Sequence, residues 1–151
     1  MNIVLDITKD SIYHILLLEK KRNIIIDGYF TKFIYSNQYF TMTCIYIKFP
    51  LEFNNIDKNN IYYNPFNSNN MILIQEYTKL ENNIIDYYKK MNNTSKKAVN
   101  NLSKQLYSGI IKVYNLYNSN NSNSIIPFVI KLSGVWENIT DIGITYKIYK
   151  L

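Results

Sequence analysis

Four stretches of this 151-residue chain set aromatic rings and lysine amines within two or three residues of one another: Tyr29-x-Thr31-Lys32-Phe33-x-Tyr35, Tyr46-x-Lys48, Lys112-x-Tyr114 and Lys147-x-Tyr149. Each places such residues on or beside one face of a strand, because strand side chains alternate with period two. Rings stack on unpaired bases and amines pair with phosphates, which is how single-stranded nucleic acid is gripped. Each stacked base contributes roughly 1–3 kcal/mol. Lys131, inside the apolar run Phe128 to Leu132, adds a further amine. The candidate nucleic-acid-binding residues are therefore Tyr29, Phe33, Tyr46, Tyr114 and Tyr149 for bases, with Lys32, Lys48, Lys112, Lys131 and Lys147 for phosphates. The competing reading is that these rings only cover a half-buried sheet, a role tyrosine fills well.

Other chemistry finds little support. The glycines, at 28, 109, 134 and 143, compose neither a Walker A loop nor Gly-x-Gly-x-x-Gly. Cys44 and His14 are each the only residue of their type, which excludes an internal disulfide and multi-Cys or multi-His metal sites. Cys44 reads as a core thiol and His14, beside Ile15, Leu16 and Leu17, as a packed histidine. Asp6, Asp10, Glu19 and Asp27 show no spacing that would converge on a metal pair, so a small nuclease built on Asp6, Asp10 and Asp27 is a remote alternative. Glu76, Glu81 and Asp86 read as solvated helix exterior. No catalytic residue, metal or cofactor is expected.

Composition tempers the charge argument. Ile (25), Asn (23), Lys (16) and Tyr (15) exceed half the chain, whereas Ala98 and Arg22 are the single Ala and Arg. That bias is what a very AT-rich genome writes. The net charge of +6 and pI near 9.2 suit an anionic partner. Lysine and tyrosine counts mean less here than their placement.

The elements that would position these residues read as strands, helices, then strands. Ser11 to Lys20 is an apolar strand, with a polar turn at Lys20 to Asn23. Asn23 to Tyr35 is a second strand with Ile24, Ile26, Phe30 and Ile34 on one side and Asp27, Tyr29, Thr31, Phe33 and Tyr35 on the other; Gly28 suggests a bend. Gln38 to Phe49 is a third, completing an antiparallel meander. Leu51 to Asn70 is an Asn-rich connection around Ile61-Tyr62-Tyr63-Asn64-Pro65-Phe66, and Met71 to Ile74 a short strand. Leu80, Ile84, Tyr87/Tyr88 and Met91 give helical spacing, ended by Asn92-Asn93. Thr94 or Ser95 would cap a second helix to about Tyr107, with Lys96, Lys97 and Lys104 solvated and Gly109 past its end. Gly109 to Tyr117 is a strand and Asn118 to Ser124 a flexible loop.

The last residues carry the clearest pattern. Ile125 to Trp136 and Ile142 to Leu151 are two strands around the turn Glu137-Asn138-Ile139-Thr140-Asp141. Ile142, Ile144, Tyr146 and Ile148 form an oily face opposite Thr145, Lys147 and Tyr149. Trp136, the sole tryptophan, reads as a core plug, with a stacking platform as the alternative. The segments Pro127-Phe128-Val129-Ile130-Lys131-Leu132-Ser133-Gly134-Val135-Trp136 and Gly143-Ile144-Thr145-Tyr146-Lys147-Ile148 resemble the end of the OB-fold single-stranded DNA-binding proteins of large DNA viruses, a group related in structure to those of certain short-tailed phages. That resemblance implies an OB-like barrel with a helical insertion, binding unpaired DNA during replication or recombination. The phage-type proteins end in an acidic tail, whereas this sequence ends Tyr149-Lys150-Leu151.

The expected fold is thus a single α+β, β-rich domain over 1–151: an OB-like, five-to-seven-stranded antiparallel barrel with a two-helix insertion at about 75–107. The expected function is non-catalytic binding of single-stranded DNA, with RNA as the alternative nucleic acid, in support of viral DNA replication or recombination. A viral structural or scaffold protein without nucleic-acid affinity is the rival, and either could form a homo-oligomer. No signal peptide or membrane span is read, so the expected place is intracellular, in the host nucleus or at a viral replication site.

Overall fold

In a computed structural model, which describes residues 3–7, 14–25, 27–116 and 127–151, strands dominate both ends of an α+β chain. In order these are β1 (Val4–Leu5), β2 (Ile15–Leu17), β3 (Lys21–Asn23), β4 (Gly28–Ser36), β5 (Thr41–Thr43), β6 (Ile45–Phe49), β7 (Asn55–Asp57), β8 (Asn60–Tyr62), α1 (Ser68–Asn92), β9 (Lys97–Val99), α2 (Asn101–Tyr107), β10 (Ile110–Lys112), β11 (Phe128–Glu137) and β12 (Asp141–Lys150). The 118–124 loop and parts of the expected first strand lie outside the described residues.

β11 is the centre of the main sheet. One edge pairs antiparallel with β12 along its length, through a register shift between Leu132 and Gly134. The other edge changes partner at that irregularity: Phe128 to Leu132 pair with β6, and Gly134 to Glu137 with β4. β4 also binds β3, β2 and β5. β12 continues to β9 at one end. At the other, Tyr114 N–H donates to Ile148 O (2.8 Å) and Lys150 N–H to Tyr114 O (3.1 Å), tying in the small β10–β8–β7 sheet. Among the described residues the strands do not close into a ring.

One core cluster runs from Leu5 to Ile148. In β4, Thr31, Phe33 and Tyr35 point into it, at 0–3% exposure, while Phe30, Lys32 and Ile34 point away. The side expected to be oily is therefore the outer one. The expected third strand is cut at Cys44, whose φ of 64° makes the break. The break is needed because β5 pairs with β4 whereas β6 must reach β11. Cys44 is accordingly half-buried, not a core thiol.

Polar anchors set the helix limits. Asn67 caps α1 by accepting from Asn70 N–H (2.8 Å), and Asn70, fully buried, accepts from Glu52 N–H and donates to Glu52 O and Asn64 O. These contacts turn Met71 to Ile74, expected as a strand, into the first turns of α1. Its inner face is Ile74, Tyr77, Leu80, Glu81, Ile84, Ile85 and Tyr88; Tyr87 and Met91 are exposed. Asn93 ends the helix in the left-handed region at φ 48°. Lys97 to Val99 form a strand, not a helix, because the β12 edge at Asp141 to Gly143 takes them up. Glu81 then starts α2: its carboxylate accepts from Leu102 N–H (3.0 Å), Ser103 N–H (2.9 Å) and the Ser103 hydroxyl. Buried in the structure, Glu81 is a cap supplied from another helix and not the solvated acid expected.

Glu137, at the end of β11 and 2% exposed, receives Lys20 Nζ (2.7 Å), Lys96 Nζ (3.3 Å) and the Tyr88 hydroxyl (3.1 Å). Lys96, expected to be solvated, thus joins an ion pair that ties β11 to α1 and to the segment before β3. Burial pushes the Tyr88 hydroxyl up to about 12, so it stays a donor. Burial alone would raise the Glu137 carboxyl too, but hydrogen bonds from Lys20, Lys96 and Tyr88 and the Lys20 charge outweigh it and hold the pKa below the usual glutamate value. Since the folded-state pKa is the lower one, this stabilisation is complete above about pH 4.5 and is lost as pH falls through the depressed value. Glu137→Gln is expected to cost about 3 kcal/mol at neutral pH and to flatten the fall of Tm on acidification below about pH 4.5, read by thermal melts across pH. Glu81→Ala is expected to cost about 1–2 kcal/mol by uncapping α2, measured by urea unfolding.

Candidate nucleic-acid interface

Residues directly opposite on paired strands share a face, so the registers of β6, β11 and β12 assemble the outer surface row by row. Tyr46, Lys131 and Lys147 form one row, and Lys48, Val129 and Tyr149 the next. The bridge between Tyr114 and Tyr149 adds Tyr114 at the edge, with Lys112 two residues before it. Seven of the ten expected residues are thereby brought together: Tyr46, Lys48, Lys112, Tyr114, Lys131, Lys147 and Tyr149. Lys48, Lys112, Tyr114 and Lys147 are exposed, and Tyr46, Lys131 and Tyr149 half-buried.

Amines and rings interleave as the sequence suggested. Lys131 Nζ lies 5.7 Å from the Tyr46 ring centre, and the Lys112 and Lys147 amines lie 5.5 and 5.2 Å from that of Tyr114. The Tyr114 and Tyr149 rings sit 5.6 Å apart at a 42° tilt. Lys131 and Lys147 face each other directly across β11 and β12, a like-charge pair that sheets ordinarily avoid. No carboxylate belongs to the Tyr46–Lys131–Lys147 row; Asp6, which follows β1, continues its parallel register to the level of Lys48 at the edge of the second row.

Three expected residues fall elsewhere. Phe33 is 0% exposed and packs in the core, so it is not a stacking residue of this surface. Tyr29 pairs with Glu137 on the opposite face and lies under the Lys20 amine, 4.2 Å from its ring centre. Lys32 is on the outer face but farther along, opposite Gly134. The period of two already separates Lys32 from Tyr29 and Phe33, which is the signal that divides this motif. That motif's outward ring is Phe30, paired across the sheet with Trp136. Both are partly exposed, so Trp136 is a surface ring rather than a core plug.

Among the described residues no group of three or more His, Cys, Asp and Glu side chains could hold a metal ion, and no helix is long and apolar enough to cross a membrane. Comparison of the chain with protein-family models, with curated proteins and with solved structures finds no match.

The burial contrast has a measurable consequence. Phe33→Ala is expected to cost about 3–5 kcal/mol in urea unfolding, while Tyr114→Ala and Lys147→Ala stay within about 0.5 kcal/mol.

Proposed function

We propose that this chain is a non-catalytic, single-stranded DNA-binding protein with an OB-like architecture, gripping the strand along the outer face of β6, β11 and β12 in support of viral DNA replication or recombination. The observation that carries the reading is the row Tyr46–Lys131–Lys147, in which two amines stand opposite one another with tyrosine on either flank and no carboxylate among them. A polyanion placed over that row removes the repulsion that the fold alone leaves in place, and the rings beside it offer faces for bases. The OB-like reading draws support from β11 exchanging one neighbour for another at an irregularity, a device by which strands let a sheet bend. Lys48, Lys112, Lys131 and Lys147 act on phosphates and Tyr46, Tyr114 and Tyr149 on bases.

Since bound lysines release counterions, log K should fall linearly with log salt by about 0.7 for each phosphate contacted. Anisotropy titration of a labelled oligo-dT at several salt concentrations measures that slope. Lys131→Ala combined with Lys147→Ala should flatten it by about 1.4, and Tyr114→Ala should weaken binding by about 1–3 kcal/mol with the slope unchanged. Absence of binding at low salt, or equal binding to duplex, defeats the reading. A stable oligomer in light scattering together with no oligonucleotide affinity would favour a structural or scaffold role.

A further inference from the structure

At the other end of the same face lies a cleft that the lysine rows do not use. Phe30 and Trp136, paired across β4 and β11, line it with Asn23, Asn138 and Thr145, and it encloses about 490 Å³. Two glycines lie against its rings. A Cβ at Gly143 would stand 2.6 Å from Trp136 Cε2 and 2.8 Å from Nε1, and one at Gly134 would stand 2.7 Å from Phe30 Cζ. No side chain fits at those distances, so only glycine lets the rings lie down on the sheet. Both rings remain partly exposed above the glycine backbone.

The rim carries polar side chains. Asn23 Oδ1 accepts from Ile25 N–H (3.0 Å), and Asn138 Oδ1 accepts from Thr140 N–H (2.9 Å) and Asp141 N–H (2.6 Å). Only an amide oxygen can accept from these backbone donors, so the orientation of both amides is determined. Each amide then has Nδ2 as its donor end, and the Thr145 hydroxyl, which can donate or accept, also lines the cleft. Ring faces for stacking and amide donors at the edge suit a flat base bearing exocyclic carbonyl oxygens, as thymine and uracil do.

We propose that the Phe30–Trp136 cleft is a base-binding subsite that takes one unstacked oxo-pyrimidine, thymine or uracil, from a strand whose phosphates run along Lys32, Lys131 and Lys147. The inference rests on the nucleic-acid reading above and adds to it a base preference at one position of an otherwise sequence-independent grip. Gly143 and Lys147 are four residues apart on β12, about 13 Å, which a few nucleotides span.

Trp136 is the sole tryptophan, so its emission reports on this cleft alone. The experiment follows oligonucleotide binding by anisotropy of a label and, in parallel, Trp136 emission excited where tyrosine does not absorb, with oligo-dT, oligo-dA and an abasic oligomer of equal length. Oligo-dT is expected to quench Trp136, and the abasic strand to bind through the lysines without quenching. Trp136→Leu should lower the preference for dT over dA about fivefold or more while leaving the salt slope intact, and Phe30→Leu should do the same. Anisotropy showing dT binding with unchanged Trp136 emission overturns the subsite and leaves the broader function standing. Absence of an anisotropy change with any strand overturns both. A concentration-dependent shift of Trp136 emission without oligonucleotide would seat a second copy of the protein in the cleft and likewise overturn the proposal.

Discussion

The backbone of β11 depends on hydrogen-bonded neighbours at both edges, and nearly everything else is arranged to supply them. β12 satisfies one edge throughout, whereas β6 and β4 share the other, changing over where the register slips between Leu132 and Gly134. A buried strand cannot leave amides and carbonyls unpaired without a cost comparable to a lost hydrogen bond, so the chain before β6 must break for the change of neighbour to occur. The positive φ of Cys44 is that break. The same pairing sets the outer surface, because it decides which side chains stand opposite one another.

Around this sheet the helices are held by polar groups acting at long range. Glu81 of α1 caps α2, the side chain of Asn70 binds the backbone at Glu52 and Asn64, and Glu137 draws Lys20, Lys96 and Tyr88 onto the end of β11. The carboxylates of Glu81 and Glu137 and the amide of Asn70 each meet partners of opposite sense, so burial strengthens these contacts instead of penalising them. Asparagine, abundant in this chain, is used where it is physically apt: capping α1 at Asn67, ending it in the left-handed region at Asn93, and closing turns at Asn37 and Asn138. A compositional bias that looks uninformative as a count is put to structural use position by position.

The outer face joins two kinds of surface. One end is cationic, with tyrosines laid beside lysines and Lys131 set against Lys147; the other is flat and aromatic, with Trp136 and Phe30 resting on glycine backbone. A single extended polyanion bearing planar bases is the partner proposed for both. The buried carboxylates of Glu81 and Glu137 are engaged by helix amides and by amines.

Local pattern determined the terminal strand pair, the face bearing Lys147 and Tyr149, and the end of α1 at Asn93, since period and capping are properties of a few neighbouring residues. It also carried seven members of the candidate surface, because ring and amine two apart must share a strand face. It failed in β4, where apolar residues occupy both faces and periodicity has no preferred phase. Only the docking of β4 on β11 turned Phe33 inward and Phe30 outward. It failed too at Glu81, Lys96 and Met71 to Ile74, whose partners lie far away in the chain. Tertiary structure decided those because a cap, an ion pair or a ring seated on a glycine is made by residues that no local window contains.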